Sequence, residues 1–437
     1  MSGHLRLIDE TRLFERLCEI EWLRAAFKSV KKNKGSPGID RVTIKDFESN
    51  LNEELSQLKR ELESWTYKPS PVRRVEIPKP GGKGMRLLGV PNVRDRVVQA
   101  ATKMLIEPIF DPLFSDHSYG FRPNRNQRRA VEAAHKIVIS GKPYVVDIDL
   151  SKFFDRIHHD RLIARLRLHV PDKRILRLIG MILRSGVMAN GLISATTEGA
   201  TQGSPLSPLL SNIVLDELDK ELERRNLEFC RFADDCNIFV KTPKAAERVM
   251  NSICGYIEKR LKLVVNTEKS QVAPSERVKF LGMTIVNGAI AISHKALQTA
   301  MAKVKELTPR GTHLTLEKTI EKINRWYVGW ANYFSMTHYP AQLAKIEAHI
   351  RRRLRSRLID QQKSKRNLFR KLMKRGVPRR MAANAVFTNR KRWALSKTMA
   401  ASKAYSNHWF IVEMGQAIRS DRQLSHWFEL REWVRLT

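Results

Sequence analysis

The stretch FCRFADDCNIFV, residues 229–240, places two adjacent aspartates between two apolar runs. The apolar runs predict a β-hairpin, with Asp234 and Asp235 at its tip. Two carboxylates this close repel one another unless a positive charge lies near them. Such a pair alone is most often a solvated turn, because aspartate favours turns. The apolar flanks indicate here that the tip emerges from a hydrophobic core.

A second pair of aspartates lies in the apolar run YVVDIDL, residues 144–150. Its alternation predicts a buried strand with Asp147 and Asp149 on the same face. Isolated buried carboxylates are costly, so these groups need either a structural partner or a metal ion. Mg²⁺ typically takes one or two carboxylates together with substrate phosphates. Two metal ions bridged by aspartates can activate a hydroxyl and stabilise a leaving pyrophosphate.

The pattern around these strands predicts an α+β middle part between helical ends. Helical spacing of apolar residues predicts helices over 13–30, 47–62 and 205–226. Short apolar runs predict further strands over 72–79, 85–91, 263–266 and 278–286. Beyond about residue 290 the chain changes to helices rich in Lys and Arg.

The charge of the chain points to a polyanionic partner. The formal net charge is +35, and residues 291–437 carry +22 of it. Residues 351–404 hold 19 basic side chains against one acid, Asp360. The hydrophobic fraction of 42% excludes disorder across the whole chain, so nucleic acid is the expected partner of a folded basic protein.

The four cysteines exclude a disulfide-built fold and fit a reducing compartment. They form no Cys-x-x-Cys pair and have no histidine spacing suited to zinc. The first twelve residues lack the apolar core of a signal peptide, and no apolar run is long enough to span a bilayer. The sequence therefore predicts a cytoplasmic protein without a membrane partner.

The chain resembles a group II intron-encoded reverse transcriptase, also called an intron maturase, through an ordered series of blocks that covers nearly the whole chain. These blocks are NKGSPGID (33–40), VEIPKPGGKGMRLLGVPNVRDRVVQ (75–99), SYGFRPNRN (118–126), YVVDIDLSKFFDRIHHD (144–160), TQGSPLSPLLSNIVLDELD (201–219), RFADDCNIFV (231–240), LKLVVNTEKS (261–270), FLGMTI (280–285) and INRWYVGWANYF (323–334).

The resemblance implies an α+β, right-hand polymerase with fingers, palm, a helical thumb and a basic helical C-terminal tail. The expected domains are an N-terminal helical extension at 1–64, fingers and palm at 65–290, a thumb (maturase domain X) at 291–385 and a DNA-binding region at 386–437. Some family members carry a further endonuclease domain with His and Cys ligands. No such segment is found here, so the chain is expected to resemble the small group IIC-type proteins.

Residue by residue, the resemblance implies that Asp149, Asp234 and Asp235 are catalytic and hold two Mg²⁺ ions. Asp147 is expected to support them rather than bind metal. The common family tetrapeptide is Tyr-Ala-Asp-Asp, whereas this chain has Phe232 at the first position. The missing hydroxyl should leave metal binding intact, although it removes any hydrogen bond that a tyrosine would make near the primer end.

The resemblance also implies a nucleotide-binding set around these aspartates. Lys79 and Arg86, on two strands joined by a Gly-Gly turn, are expected to hold the incoming triphosphate. Phe154 matches the residue that crowds a 2′-hydroxyl, with an ordinary core aromatic as the alternative. Gln202, followed by a glycine, is expected to line the pocket, and Lys269 to protonate the leaving pyrophosphate.

The C-terminal part carries two patterns with different expected roles. The aromatic and apolar stripe within 323–334 is predicted to be core rather than a base-stacking surface. The following arginine run is predicted to contact phosphate, because so much positive charge cannot be neutralised within the chain. This run comprises Arg351, Arg352, Arg353, Arg355 and Arg357.

The leading interpretation is an RNA-directed DNA polymerase that also binds group II intron RNA and promotes its splicing and mobility. Its expected partners are intron RNA or another RNA template, a DNA primer or target, and deoxynucleoside triphosphates. One alternative is an RNA-binding splicing cofactor with little polymerase activity. Another is a host-adopted relative that works in DNA repair or phage defence. The sequence leaves the choice between intron-encoded and host-adopted protein open.

Overall fold

The computed structural model describes residues 12–78, 84–189, 192–194, 196–388 and 391–414. The chain divides into two compact units, Met1–Phe280 and Leu281–Thr437, here called unit 1 and unit 2. Both units contain helices and strands, which confirms the predicted α+β class. Within these described ranges, no helix has the length and apolar character that crossing a membrane requires.

The helices of unit 1 are amphipathic or buried segments between its strands. They are α1 (Leu13–Leu17), α2 (Ile20–Lys32), α3 (Ile44–Ser49), α4 (Leu51–Glu63), α5 (Val93–Phe110), α6 (Gln127–Ile139), α7 (His159–Arg167), α8 (Lys173–Leu183), α9 (Ser207–Arg224) and α10 (Pro243–Tyr256).

The strands of unit 1 form two sheets. They are β1 (Val72–Pro78), β2 (Met85–Val90), β3 (Tyr144–Ile148), β4 (Val187–Ala189), β5 (Leu192–Ser194), β6 (Glu228–Phe232), β7 (Asp235–Val240) and β8 (Gln271–Pro274). The first sheet has the order β2-β1-β4-β5, and the second has the order β6-β7-β3-β8.

The second sheet is antiparallel throughout and carries the stretch from which the fold was predicted. Val146 of β3 lies opposite Ile238 of β7, and both side chains are fully buried. The apolar alternation therefore corresponds to a real core face, as strand geometry requires. The hairpin predicted over 229–240 and the strand predicted over 144–150 are both confirmed.

The N-terminal helices differ from the prediction in where they break. The segments predicted as helices over 13–30 and 47–62 each contain two, because Glu19 is extended between α1 and α2 and Asn50 separates α3 from α4. Leu17 of α1 and Leu23 of α2 are both buried in the same core. Apolar spacing continued across the break because both helices bury that face, so periodicity alone did not reveal it.

Two predicted strands are wrong in their extent. Residues 263–266 form only an isolated bridge, between Leu150 and Val265, and the strand that pairs with β3 begins later, at Gln271. Over 278–286 the strand begins only at Met283, because Leu281 and Gly282 have φ values of 52° and 82°. These left-handed conformations cannot continue a strand, and they follow the division between the two units.

Unit 2 begins with a two-stranded hairpin, and helices follow it. Its elements are β9 (Met283–Val286), β10 (Ala289–Ile292), α11 (His294–Leu307), α12 (Leu316–Phe334), α13 (Pro340–Asp360), α14 (Lys365–Lys374), α15 (Arg379–Val386), α16 (Arg392–Leu395) and α17 (Met399–Ala404). The stripe predicted as core lies on α12, where Ile323 and Tyr327 are buried and the Tyr327 hydroxyl donates to Glu347 Oε1 of α13 at 3.0 Å.

Candidate active site

The turn between β6 and β7 presents the first aspartate pair. Phe232 pairs with Asp235 across the hairpin, so the turn consists of Ala233 and Asp234 alone. Ala233 has a φ of 58°, a left-handed conformation that is costly for a residue with a Cβ. Such a conformation persists only where surrounding contacts enforce it.

Asp149 follows β3 directly and is held next to this turn by the strand register. Ile148 pairs with Cys236, so the next position along β3 faces the start of β7. The Asp149 backbone donates to Ser270 Oγ at 3.0 Å, and its carbonyl accepts from the Asn266 amide at 2.8 Å. Lys269 Nζ lies 3.4 Å from Asp149 Oδ2. The fold thus brings the four residues predicted as catalytic to one end of the sheet.

Burial and neighbouring carboxylates raise the pKa of both aspartates that follow Ala233. Although solvent reaches Asp235, partial burial together with the charges of Asp234, Asp147 and Asp149 raises its pKa to about 6. Burial also raises the pKa of Asp234, repulsion from Asp149 adds to this, and the Arg86 charge opposes it. Like charges at close range favour either protonation or a bound cation.

The residues present fit a divalent metal ion because a cation would remove this mutual repulsion. Oxygen ligands are also those that Mg²⁺ prefers. No three His, Cys, Asp or Glu side chains in the described part of the chain are gathered closely enough to hold a metal ion by themselves. Mg²⁺ commonly completes its ligand set with water and substrate phosphates.

A cavity of about 560 Å³ borders the turn. Its lining includes Arg86, Phe154, Gln202 and Asp234. The structure therefore brings together three of the residues predicted to bind nucleotide with one of the predicted catalytic aspartates. The fourth, Lys79, lies outside the described residues, as does the predicted Gly-Gly turn.

On the Gln202 side of the cavity, the backbone around Gln202 and Gly203 contacts Gly89 of β2. The Gly89 amide donates to the Gln202 carbonyl at 2.8 Å. Gly203 has a φ of 109°, and a Cβ added there would lie 2.7 Å from the Gly89 carbonyl oxygen. This glycine therefore permits a close approach between its own backbone and that of β2.

Phe154 lies in the 3₁₀ turn Phe153–Arg156, which follows the Asp149 segment. Its ring meets the Phe153 ring edge to face, with centroids 5.3 Å apart. Phe153 is buried in the core, whereas Phe154 is half-buried and lines the cavity. The Phe154 carbonyl accepts from the Ala200 amide at 2.7 Å, which fixes this turn to the segment leading to Gln202.

Sequence reasoning missed other residues of the same cavity. Asn33, Gly35, Arg96 and Phe121 also line it. Arg96 is buried, with its Nε donating to the Pro91 carbonyl at 2.9 Å. All four lie in the sequence blocks that carry the family resemblance, and this was the one sign in the sequence that they belong to the site. Their convergence depends on tertiary folding.

The arginine run of α13 lies differently from the open phosphate-binding surface that was expected. Arg351 and Arg357 are buried. Arg351 Nη1 lies 3.8 Å from Glu347 Oε2, and Arg357 Nη1 donates to Thr319 Oγ1 at 2.6 Å. Both guanidinium groups therefore interact with polar groups inside unit 2.

The three half-buried arginines of the run also bond within unit 2. Arg352 stacks 3.8 Å from the Trp393 ring centroid, Arg353 Nε donates to Thr308 Oγ1 at 2.9 Å, and Arg355 Nε donates to the Tyr405 carbonyl at 2.8 Å. The run can find partners within unit 2 because apolar rings and carbonyl oxygens, as well as carboxylates, can accommodate a guanidinium. Nucleic-acid contact by these five arginines stays a prediction.

Two parts of the chain match known protein families. Residues 77–285 match the model of the reverse transcriptase (RNA-dependent DNA polymerase) family, and residues 297–376 match the group II intron maturase-specific domain. The chain is 35% identical over 301 residues to Protein YkfC of Escherichia coli K12, covering 60% of this chain and 79% of that protein. It is 34% identical over 268 residues to the group II intron-encoded protein LtrA of Lactococcus lactis, covering 61% of this chain and 43% of LtrA.

A solved telomerase from Candida albicans, in complex with a fragment of telomeric RNA, aligns with 74% of this chain and 68% of its own at 12% identity and a TM-score of 0.43. The two matching family models define the class as a reverse transcriptase joined to a maturase domain. The chain belongs to the group II intron reverse transcriptase/maturase family, whose enzymes are RNA-dependent DNA polymerases.

Proposed function

We propose that the protein extends a DNA primer on an RNA template at the site of Asp149, Asp234 and Asp235. We further propose that it binds group II intron RNA and promotes its splicing and mobility. The observation that supports the polymerase proposal most is that Asp234 belongs both to the aspartate cluster and to the 560 Å³ cavity. A candidate metal-binding carboxylate thus lines a cavity large enough for a nucleotide.

In this proposal Asp149, Asp234 and Asp235 hold two Mg²⁺ ions, and the raised pKa of Asp235 supports this assignment. When bound, these ions supply activation of the primer 3′-hydroxyl and stabilisation of the leaving pyrophosphate. The protein's part is to fix the carboxylates: the β3–β7 register aligns Asp149 with the turn, and Ser270 and Asn266 fasten its backbone.

The cavity residues have separate parts in binding the nucleotide. Arg86 projects from β2 beside Asp234 and, with Lys79, would hold the triphosphate by charge-assisted hydrogen bonds. Phe154 would occupy the space that a ribose 2′-hydroxyl needs, and Gln202 would line the opposite wall. Lys269, whose Nζ lies 3.4 Å from Asp149 Oδ2, would return a proton to the pyrophosphate.

We assign fingers and palm to unit 1, and thumb and basic tail to unit 2. The match of 297–376 to the maturase-specific domain supports the thumb assignment. The finer domains at 1–64, 65–290, 291–385 and 386–437 are part of the same proposal, although residues 281–290 lie in unit 2. Exposed cations on α14 supply a surface that suits phosphate, because all five of its basic side chains are open to solvent: Lys365, Arg366, Arg370, Lys371 and Lys374.

The experiment that tests both activities compares wild type with the double variant Asp234→Asn, Asp235→Asn. Wild type should extend a DNA primer on an RNA template in Mg²⁺, and the variant should lose extension by at least about a thousandfold, since positioned electrostatics supply most of such a reaction. The variant should still promote splicing of the intron RNA that surrounds its gene, because structured RNA is held through shape and phosphates.

The matched control is Asp160→Asn, which removes an exposed carboxylate of α7 that belongs to no cluster of this site. It should behave as wild type in both assays. Extension by the double variant at the wild-type rate would contradict the catalytic assignment. Intron RNA that splices no better with wild type than without it would contradict the maturase role and favour the host-adopted alternative.

A further inference from the structure

A fully buried arginine, Arg231, lies beneath the Ala233–Asp234 turn and has no part in the chemistry described above. It belongs to β6, and its side chain and that of its ion-pair partner Asp219 are both 0% exposed. Its Nε donates to Asp219 Oδ1 at 2.7 Å and its Nη2 to Oδ2 at 2.5 Å. A charge at this depth is tolerated only when it is paired and hydrogen-bonded.

Every N–H donor of this guanidinium has an acceptor. Besides the two bonds to Asp219, Nη1 donates to Asn212 Oδ1 at 3.0 Å and to the Ala233 carbonyl at 2.8 Å, and Nη2 donates to Ser118 Oγ at 2.8 Å. The five bonds use all five donors of arginine. They connect α9, the segment before Gly120 and the aspartate turn at a single point.

The bond to Ala233 acts on the backbone of Asp234. The peptide between these residues is planar, so fixing the Ala233 carbonyl also fixes the Asp234 amide on its other side. The turn is confined from the opposite direction by Gly120, where an added Cβ would lie 2.2 Å from the Ala233 nitrogen. Gly120 is itself held, because its carbonyl accepts from Asn212 Nδ2 at 2.8 Å.

We propose that Arg231 is a positioning residue, which holds the Ala233–Asp234 peptide so that the Asp234 carboxylate is oriented for the divalent metal ion. This inference rests on the proposed function. It explains how Ala233 keeps its left-handed φ of 58°, since the carbonyl bond and the Gly120 contact together exclude the relaxed alternatives. Lysine cannot replace this arginine, because it offers three donors from one point instead of a planar fork of five.

The test measures Mn²⁺ binding by electron paramagnetic resonance, using full-length protein bound to an RNA template with a DNA primer. Arg231→Lys keeps the charge opposite Asp219 but loses the fork. We expect its Mn²⁺ affinity to fall about tenfold, as is typical when a group that orients a metal ligand is removed. Half-maximal primer extension should need correspondingly more Mg²⁺, while affinity for the primer–template remains that of wild type.

The matched control is Ser118→Ala, which removes one acceptor of the same guanidinium and leaves its bond to Ala233 in place. Its Mn²⁺ affinity should equal that of wild type. Gly120→Ala is the second variant: it leaves Arg231 intact, displaces the turn from the other side and should weaken Mn²⁺ binding in the same way. Thermal melting identifies the variants that remain folded, and Gly120→Ala decides the result if Arg231→Lys does not fold.

Two results would overturn the proposal. One is a folded Arg231→Lys or Gly120→Ala protein that binds Mn²⁺ as tightly as wild type. The other is a wild-type protein with no saturable Mn²⁺ binding, since no metal-binding arrangement would then exist to be positioned. Failure of the proposed function is a separate outcome: wild type would bind Mn²⁺, with the expected losses in both variants, yet make no DNA.

Discussion

At the scale of single residues, Phe153 and Phe154 occupy consecutive positions with different surroundings. Phe153 is 3% exposed and belongs to the core of unit 1. Phe154 packs against it edge to face but presents its other side to the cavity. Shortening Phe154 therefore enlarges the cavity, whereas shortening Phe153 would leave a void in the core.

We predict that Phe154→Ala relaxes sugar selection. The lost ring opens space for a 2′-hydroxyl, and steric discrimination of this kind is worth about tenfold or more. Single-nucleotide incorporation of ribonucleotides against deoxynucleotides measures the ratio. Phe121→Ala, which removes another aromatic side chain of the same cavity, serves as the control and should leave the ratio unchanged. An unchanged ratio in Phe154→Ala would show that the ring does not contact the sugar.

Asp95 is a buried carboxylate of α5, outside the aspartate cluster. It is 1% exposed, and it accepts from the Tyr67 hydroxyl at 2.7 Å and from the Ser70 amide at 3.2 Å. Burial raises its pKa from 3.8 to about 6 in spite of these two bonds. Because the folded protein holds this proton more tightly than the unfolded chain, Asp95 makes stability depend on pH.

The sign of this dependence follows from the raised pKa. Below about pH 4 the carboxyl is protonated in both states; between about pH 4 and 6 only the folded state keeps the proton, so stability falls as pH rises. We predict that wild type loses about 2 kcal/mol relative to Asp95→Asn between pH 4 and 7. Urea unfolding of the full chain at both pH values measures the difference. A constant difference would mean that folding does not shift the pKa of Asp95.

At the scale of elements, the segment after Ala200 depends on its contact with β2. The Gly89 amide and the Gln202 carbonyl bond directly, and Gly203 allows the two backbones to approach. A Cβ added at Gly89 would lie 2.2 Å from Thr201 Cγ2, so this side of the contact is equally close. One wall of the cavity is therefore set by the distance between two backbones.

We predict that Gly203→Ala lowers kcat/KM for the nucleotide by about tenfold, because the new Cβ pushes Gln202 away from β2, and small misplacements in a binding site are costly. Steady-state extension with a saturating primer–template measures this. Gly141→Ala is the matched control: its φ of 97° is equally unfavourable for alanine, but an added Cβ meets no atom within 4 Å. Equal losses in both variants would assign the effect to backbone strain alone.

At the scale of the whole molecule, the charge of +35 is only partly available to a partner. The arginines of α13 bond to carbonyl oxygens, a carboxylate and a tryptophan ring inside unit 2. By contrast, α14 exposes its basic side chains and buries Leu368 and Leu372. We therefore expect phosphate contacts in unit 2 from its exposed cations more than from the arginine run of α13.

We predict that RNA binding weakens strongly with salt and that α14 contributes to it. Replacing four of its five exposed cations by Glu should reduce the slope of log Kd against log salt by about 0.7 for each lost single-strand contact. Filter binding between about 50 and 200 mM salt measures the slope. The replaced residues are Lys365, Arg366, Arg370 and Lys371.

A second quadruple variant separates local contact from total charge. Replacing four exposed cations of unit 1 by Glu changes the net charge equally, and this control set is Lys241, Lys244, Arg248 and Lys259. It should weaken binding less and retain a steeper slope than the α14 variant. Identical slopes in the two variants would mean that only net charge matters.

Features that depend on short-range pattern could be predicted from the sequence. Apolar alternation located β3, and continuous apolar runs located the β6–β7 hairpin, because such runs are typical of buried strands. The aspartates at the end of these strands were found for the same reason. The order of the motifs along the chain predicted the family, and the family matches over residues 77–285 and 297–376 confirm it.

Which distant residues meet depends on tertiary folding. Asn33, Phe121 and Asp234 line one cavity, although Phe121 lies far from both of the others along the chain. The charges of Arg231 and Arg357 can be read from the sequence, but their surroundings cannot. Both arginines are buried and hydrogen-bonded inside the protein. The physical reason is that periodicity reports which face is buried and composition reports charge, whereas a side chain's partner is fixed only when separate elements pack together.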